Sequence, residues 1–126
     1  MINLIEEAAT DFDTDGVNLN FVHGPRFIQY EQPFLDRFQQ TYGVDAQTVS
    51  TTDFRLQIIR ATFMTEFVQD VRNTLDLVGA QKGKNLTLSV SVWPSQETLS
   101  PGGTADWEGL DVADWIFSGY IDQIRI

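Results

Sequence analysis

The residues best equipped for chemistry near the N-terminus are Asn18, Asn20, His23 and Arg26. They stand in the stretch Asp15-Gly-Val-Asn-Leu-Asn-Phe-Val-His-Gly-Pro-Arg-Phe27, where apolar and polar residues alternate before a Gly-Pro loop. Alternation predicts a strand with Val17, Leu19 and Phe21 on one face and Asn18 and Asn20 on the other. Asn20 at the strand's end could hydrogen-bond a sugar hydroxyl, or could close the following loop onto itself. His23 could bind a hydroxyl or shuttle a proton near neutral pH; the plain alternative is a partly exposed loop residue. Arg26 could take an anionic group of a substrate, or pair with a carboxylate of the acidic body.

Trp93 closes a second alternating run, Asn85 to Trp93, on the same side as Ser89 and Ser91. An indole at the end of a strand is a platform for a sugar ring, whose CH face it can bury while its N–H binds a hydroxyl. It could equally plug a core, and Trp107 offers a weaker version of the same choice. For proton transfer the candidates are Glu31 and Glu97, with Asp106 and Glu108 beside the latter in the same long loop. Nothing in the sequence separates these acids from ordinary solvated loop residues.

Charge and composition close off several classes of function. The formal charge of −10 opposes the clustered Lys and Arg that nucleic-acid backbones require. The chain has no Cys and a single His, so disulfides, thiol nucleophiles and multi-His metal centres are ruled out. A cation site made of carboxylates alone stays open. No apolar run reaches the ~18 residues of a membrane span, and no basic, then apolar, leader pattern is visible. There is no Gly-rich phosphate loop and no nucleophile elbow, so the expectation is no cofactor. Asn85-Leu86-Thr87 fits a glycosylation sequon, but it opens a strand with an apolar face and is discounted.

The elements that must position these residues are legible from periodicity. Leu4, Ile5, Ala8 and Ala9 form a helical stripe, and Asp13-Thr-Asp-Gly16 turns the chain into the first strand. Pro33 to Gly43 reads as a second helix burying Phe34, Leu35 and Phe38. Thr52 or Asp53 caps a long third helix with a stripe of Leu56, Ile59, Phe63, Phe67, Val71, Leu75 and Val78. The second strand, Asn85 to Trp93, leads into a Gly/Pro/Ser-rich loop, Pro94 to Gly109. Asp111 caps a short helix containing Val112, Trp115 and Ile116, with Trp115 in the core, and Tyr120 to Ile126 reads as a last strand.

Helices alternating with strands predict parallel pairing. Alternating strands with small hydroxyls on one side favour a segment of a (β/α) barrel over a doubly wound sheet, whose strands are apolar on both faces. The elaborate loops also leave the strand C-termini, where barrel enzymes keep their sites. An antiparallel α+β sheet with one wet face is the competing fold. At 126 residues the chain has about half the ~250 of a closed eight-stranded barrel.

Two motifs carry a family resemblance over the whole chain. Asp15-Gly16-Val17-Asn18-Leu19-Asn20-Phe21-Val22-His23-Gly24-Pro25 is similar to the pattern Asp-Gly-Val/Ile-x-Leu-Asp-Phe-x-Arg-x-Pro, and Gly109-Leu110-Asp111-Val112, Trp115-Ile116, Gly119 and Asp122 match a later signature. Both belong to bacterial glycoside-hydrolase-like barrels of the family-10 type, and Arg60 to Leu75 looks like the helix between them. The resemblance implies a middle portion of about three parallel strands with flanking helices, residues 1–126 forming a single incomplete barrel segment. It implies carbohydrate bound or hydrolysed at the C-terminal rim. The family carries an acid where Asn20 stands and Arg where His23 stands. Glycoside hydrolysis needs two carboxylates, and Asn cannot fill either role. Asp122 falls at a strand start, far from the rim, and is read as structural.

The expected substrate-binding set is therefore Asn18, Asn20, His23, Arg26 and Trp93, with catalysis by this segment alone not expected. The alternative is a noncatalytic, degenerate barrel that binds sugar or pairs with another copy to cover its open sheet edges. The expected partners are thus carbohydrate and a second copy, not nucleic acid or a membrane.

Overall fold

Strands that alternate strictly need one covered face and one wet face, and the computed structural model, which describes residues 1–22, 27–93 and 109–126, has that arrangement. Three strands, β1 (Gly16–Asn20), β2 (Thr87–Ser91) and β3 (Gln123–Arg125), form a sheet of order β1-β2-β3. Both pairings are parallel, so the fold is α/β and the antiparallel alternative is excluded. The register sets Asn18 beside Ser89 and Asn20 beside Ser91. It then sets Ser89 beside Gln123 and Ser91 beside Arg125.

The covered face carries Leu19, Phe21, Leu88, Val90 and Val92, all buried, with Ile124 packed at its margin. Over it lie α1 (Ile2–Asp11), α3 (Phe54–Lys82) and α4 (Val112–Phe117). These contribute Ala9, then Met64, Val68, Val71, Leu75 and Val78, then Val112 and Trp115 to one continuous core. Each of the larger of these side chains, fully removed from water, contributes about 1.5–3 kcal/mol before entropy is counted. Trp115 is wholly buried, as its spacing predicts, and its indole N–H donates to Thr65 Oγ1 at 2.8 Å.

A second, smaller core joins α2 (Gln32–Tyr42) to the first half of α3. It holds Phe34, Phe38, Ala46, Leu56 and Ile59. Serving two cores explains a departure from the expected stripe on α3. Phe63 and Phe67 are only partly buried, one against each core, while Met64 and Val68 take the fully packed positions. A straight helix of 29 residues drifts in azimuth, so one stripe cannot serve both contacts. Its ends follow the sequence: Asp53 accepts from the Arg55 N–H at 2.9 Å, and Gly83 takes a left-handed φ of 69°.

The last strand is shorter than Tyr120–Ile126, because only Gln123–Arg125 has a partner on β2. Asp122 stands at the strand-start end of the sheet. Its Oδ2 accepts from Leu88 N–H at 2.8 Å and from Arg72 Nη1 at 3.0 Å. Arg72 also holds the Leu86 carbonyl at 2.8 Å and Asp76 at 2.7 Å. This clamp fixes where β2 and β3 begin, which is the structural role expected of Asp122. No helix among the described residues is long and apolar enough to cross a membrane.

Candidate functional site

The wet face of the sheet is built from two rows of side chains set by register. One row is Asn18, Ser89 and Gln123; the next, nearer the strand C-termini, is Asn20, Ser91 and Arg125. Neighbouring strands lie about 4.8 Å apart, so each row spans roughly 10 Å. Asn18 ties the rows together. Its Nδ2 donates to Ser89 Oγ at 2.9 Å, and its Oδ1 accepts from Ser91 Oγ at 3.0 Å. No strand residue of this face is a carboxylate.

Asn20 does half of what each reading expects. Its Oδ1 accepts from the Val22 N–H at 2.9 Å, closing the strand's end onto itself, while its NH2 group has no acceptor among the described residues. Trp93 stands at the same end of β2, 59% exposed, with its indole N–H donating to the Val22 carbonyl. That bond occupies the indole N–H that the sequence offered to a ligand hydroxyl. The N–H is committed to Val22, where it helps fix the ring at the rim. Asn20 and Trp93 thus converge on one residue, Val22, from two strands.

His23, Arg26, Glu97, Asp106, Trp107 and Glu108 lie outside the described residues. Glu31 is described and faces elsewhere. Its Oε2 accepts from Gln29 N–H at 2.7 Å, and it borders a small niche of about 150 Å³ with Ile28, Pro33, Phe34 and Phe63. No hydrogen bond joins it to Asn18, Asn20 or Trp93. Among the described residues no group of three His or carboxylate side chains is placed to hold a metal ion.

The residue that sequence reasoning undervalued is Arg60. It is 1% exposed, its Nε donates to the Ile28 carbonyl at 3.1 Å, and its guanidinium lies 5.5 Å from the Phe34 ring centroid. Gly109 presses on the same turn. A Cβ there would sit 2.6 Å from both Arg60 C and Ala61 N. The chain therefore comes back from both rim loops, at Ile28 and at Gly109, onto one turn of α3. The available signal was a lone cation inside the apolar run Ile58-Ile59-Arg60-Ala61-Thr62-Phe63-Met64. Just beyond, Asp111 caps α4 through Asp114 N–H at 3.3 Å. Burial raises its carboxyl above the ordinary aspartate range, partly offset by that hydrogen bond.

A groove of about 460 Å³ runs along the outer edge of β1, between Met1, Phe27, Met64 and Phe67 and the strand itself. A hollow of about 590 Å³ lined by Leu75, Asp76, Gly79 and Lys84 lies at the opposite end, where β2 begins. It shares no residue with the rim.

Chemically, the wet face offers neutral amides and hydroxyls, one exposed aromatic ring and one guanidinium. These can position a polar ligand, and none of them can donate or remove a proton near neutral pH. No protein-family model, curated protein or solved structure matches the chain.

Proposed function

We propose that this chain is a segment of a glycoside-hydrolase-like (β/α) barrel that binds carbohydrate at the C-terminal rim of its strands and does not hydrolyse it unaided. One observation carries the reading: the side chains of Asn18, Asn20 and Ser91 share the polar sheet face, over a buried Ser89, with Trp93 beside them at the rim. Neutral donors and acceptors beside an aromatic plane suit a polyhydroxylated ring with apolar CH faces. Ligands of parallel sheets gather outside the carboxyl ends of the strands, and Asn20, Ser91 and Trp93 stand there.

Barrel geometry fits the same features. The described helices cover one face only, and the other face is polar, as it would be on the inside of a barrel. Catalysis is a separate matter. A glycosidase needs a paired acid and base or nucleophile roughly 5–9.5 Å apart, and Asn20 occupies the position where the family has an acid.

The test is a titration of neutral oligosaccharides against the chain by calorimetry, with Asn20→Ala and Trp93→Ala alongside. Binding that each substitution weakens about tenfold is expected, since each removes on the order of 1–1.5 kcal/mol. Undetectable binding by a folded wild-type chain would overturn the reading. Release of reducing sugar by the chain alone would overturn its noncatalytic part.

A second reading is favoured by the groove on β1. The open edges of β1 and β3 are proposed to pair between copies of the chain, with the carbohydrate site completed in the assembly.

A further inference from the structure

The cations of the described residues are nearly all engaged. Among the described residues, Arg37 pairs with Glu66, Arg55 with Asp53, Arg72 with Asp76 and Asp122, and Lys84 with Asp13. Lys82 donates to the carbonyls of Ala9 and Phe12, and Arg60 is buried against the Ile28 carbonyl. Arg125 is the exception, exposed and without a carboxylate or carbonyl partner among the described residues. In a protein of formal charge −10, a guanidinium left unpaired is out of keeping with the rest.

Its position is fixed by the sheet. Ile124 packs against the core, so Arg125 projects from the opposite, wet face. Register sets it beside Ser91, which in turn neighbours Asn20, and its carbonyl accepts the Val92 N–H at 3.0 Å, one residue before Trp93. The rim row therefore reads amide, hydroxyl, guanidinium, and Trp93 follows the middle strand with its indole N–H on the Val22 carbonyl beyond β1.

We propose that Arg125 makes this site selective for a uronic acid, its guanidinium taking the sugar carboxylate while Asn20 and Ser91 hold neighbouring hydroxyls. The inference rests on the carbohydrate reading above and sharpens it. A guanidinium fork meets a carboxylate through two parallel hydrogen bonds, which a neutral hydroxymethyl group in the same position cannot supply. The body's net charge sets the other limit. It repels a dense polyanion, so the favoured ligand carries one isolated carboxylate on an otherwise neutral glycan.

The experiment is a glycan array of matched pairs, each a neutral cello-, xylo-, manno- or galacto-oligosaccharide beside the same backbone bearing one glucuronic acid. It is probed with the wild-type chain, Arg125→Gln and Arg125→Lys at two salt concentrations. The wild type is expected to prefer the acidic member of a pair about tenfold, less so at high salt. Arg125→Gln is expected to bind both members alike, and Arg125→Lys to keep part of the preference. Arg125 is exposed, so both variants should melt with the wild type. Equal binding of both members by the wild type, or a preference that survives in Arg125→Gln, would overturn the inference and leave the carbohydrate reading standing. No binding to any glycan would remove both. A change in Arg125→Gln confined to solution mass would also overturn it, assigning Arg125 the role of a charge that guards an edge strand.

Discussion

Asn18 and Asn20 are the same residue type two positions apart on one face, yet they do different work. Asn18 bridges two serines across the sheet, and Ser89 is 5% exposed, so its hydroxyl has little access to water. Asn18→Ala would leave that hydroxyl with only a 3.5 Å approach to the Val17 carbonyl. A loss of about 1–2 kcal/mol is expected from two side-chain hydrogen bonds and a poorly satisfied buried group. Asn20 is exposed and holds only an exposed N–H, so Asn20→Ala should stay within about 0.5 kcal/mol of wild type. Urea unfolding of the two variants checks this. Equal losses would mean that Asn20, too, is part of the framework rather than of the rim. The sequence told which face both residues share, because period-two alternation needs no partner to be read. It could not tell their division of labour. That depends on pairing with residues 71 to 73 positions later, and a one-residue slip would have reassigned every contact.

At the scale of elements, α3 organises the rim by gathering the returns of both loops onto one turn. Its boundaries were legible because Asp53 and Gly83 are strong end signals. Its packing was less so. Phe63 and Phe67 look like core by size and spacing, and only the presence of two separate cores explains why Met64 and Val68 lie deeper. Arg60 escaped notice for a related reason, since a charge in an apolar run is normally read as a break in the stripe. Gly109 packs against the backbone of this helix at Arg60 and Ala61, with a φ of 73° and no room for a side chain. Gly109→Ala combines left-handed strain with a backbone clash, and a loss of about 3–5 kcal/mol is expected. Gly43 has a φ of 72° but nothing within 4 Å, so Gly43→Ala meets strain alone, about 1–2 kcal/mol. Thermal melts of the pair separate the two effects. Comparable losses would mean that the loop returning at Gly109 is not seated on α3.

At the scale of the molecule, the parallel order was legible from strands alternating with helices, while the fate of the two sheet edges was not. Edge pairing depends on surfaces that sequence patterns do not record. The structure supplies two such surfaces. Along β1 the groove is lined by Met1, Phe27 and Phe67, and just past β3 stands Ile126, 74% exposed. Two antiparallel β1 edges could pair about a twofold axis, whereas β3 against β1 would continue the parallel sheet head to tail. Continuation keeps apolar side chains on the helix side and polar ones on the wet side, so the head-to-tail arrangement is the one proposed. Phe27→Lys blocks the first surface and Ile126→Lys the second, and each variant alone should run as a monomer of 14.3 kDa by light scattering, where the wild type runs larger. Mixing them is the decisive step. Head-to-tail pairing leaves one intact β3 edge and one intact β1 edge, so the mixture should form a capped species of twice the chain mass and nothing larger. A twofold β1 pair would instead leave Ile126→Lys dimeric on its own, and the mixture would gain no new species. A wild-type chain that is monomeric at all concentrations would remove self-association altogether and leave the rim of a single copy to account for any carbohydrate bound.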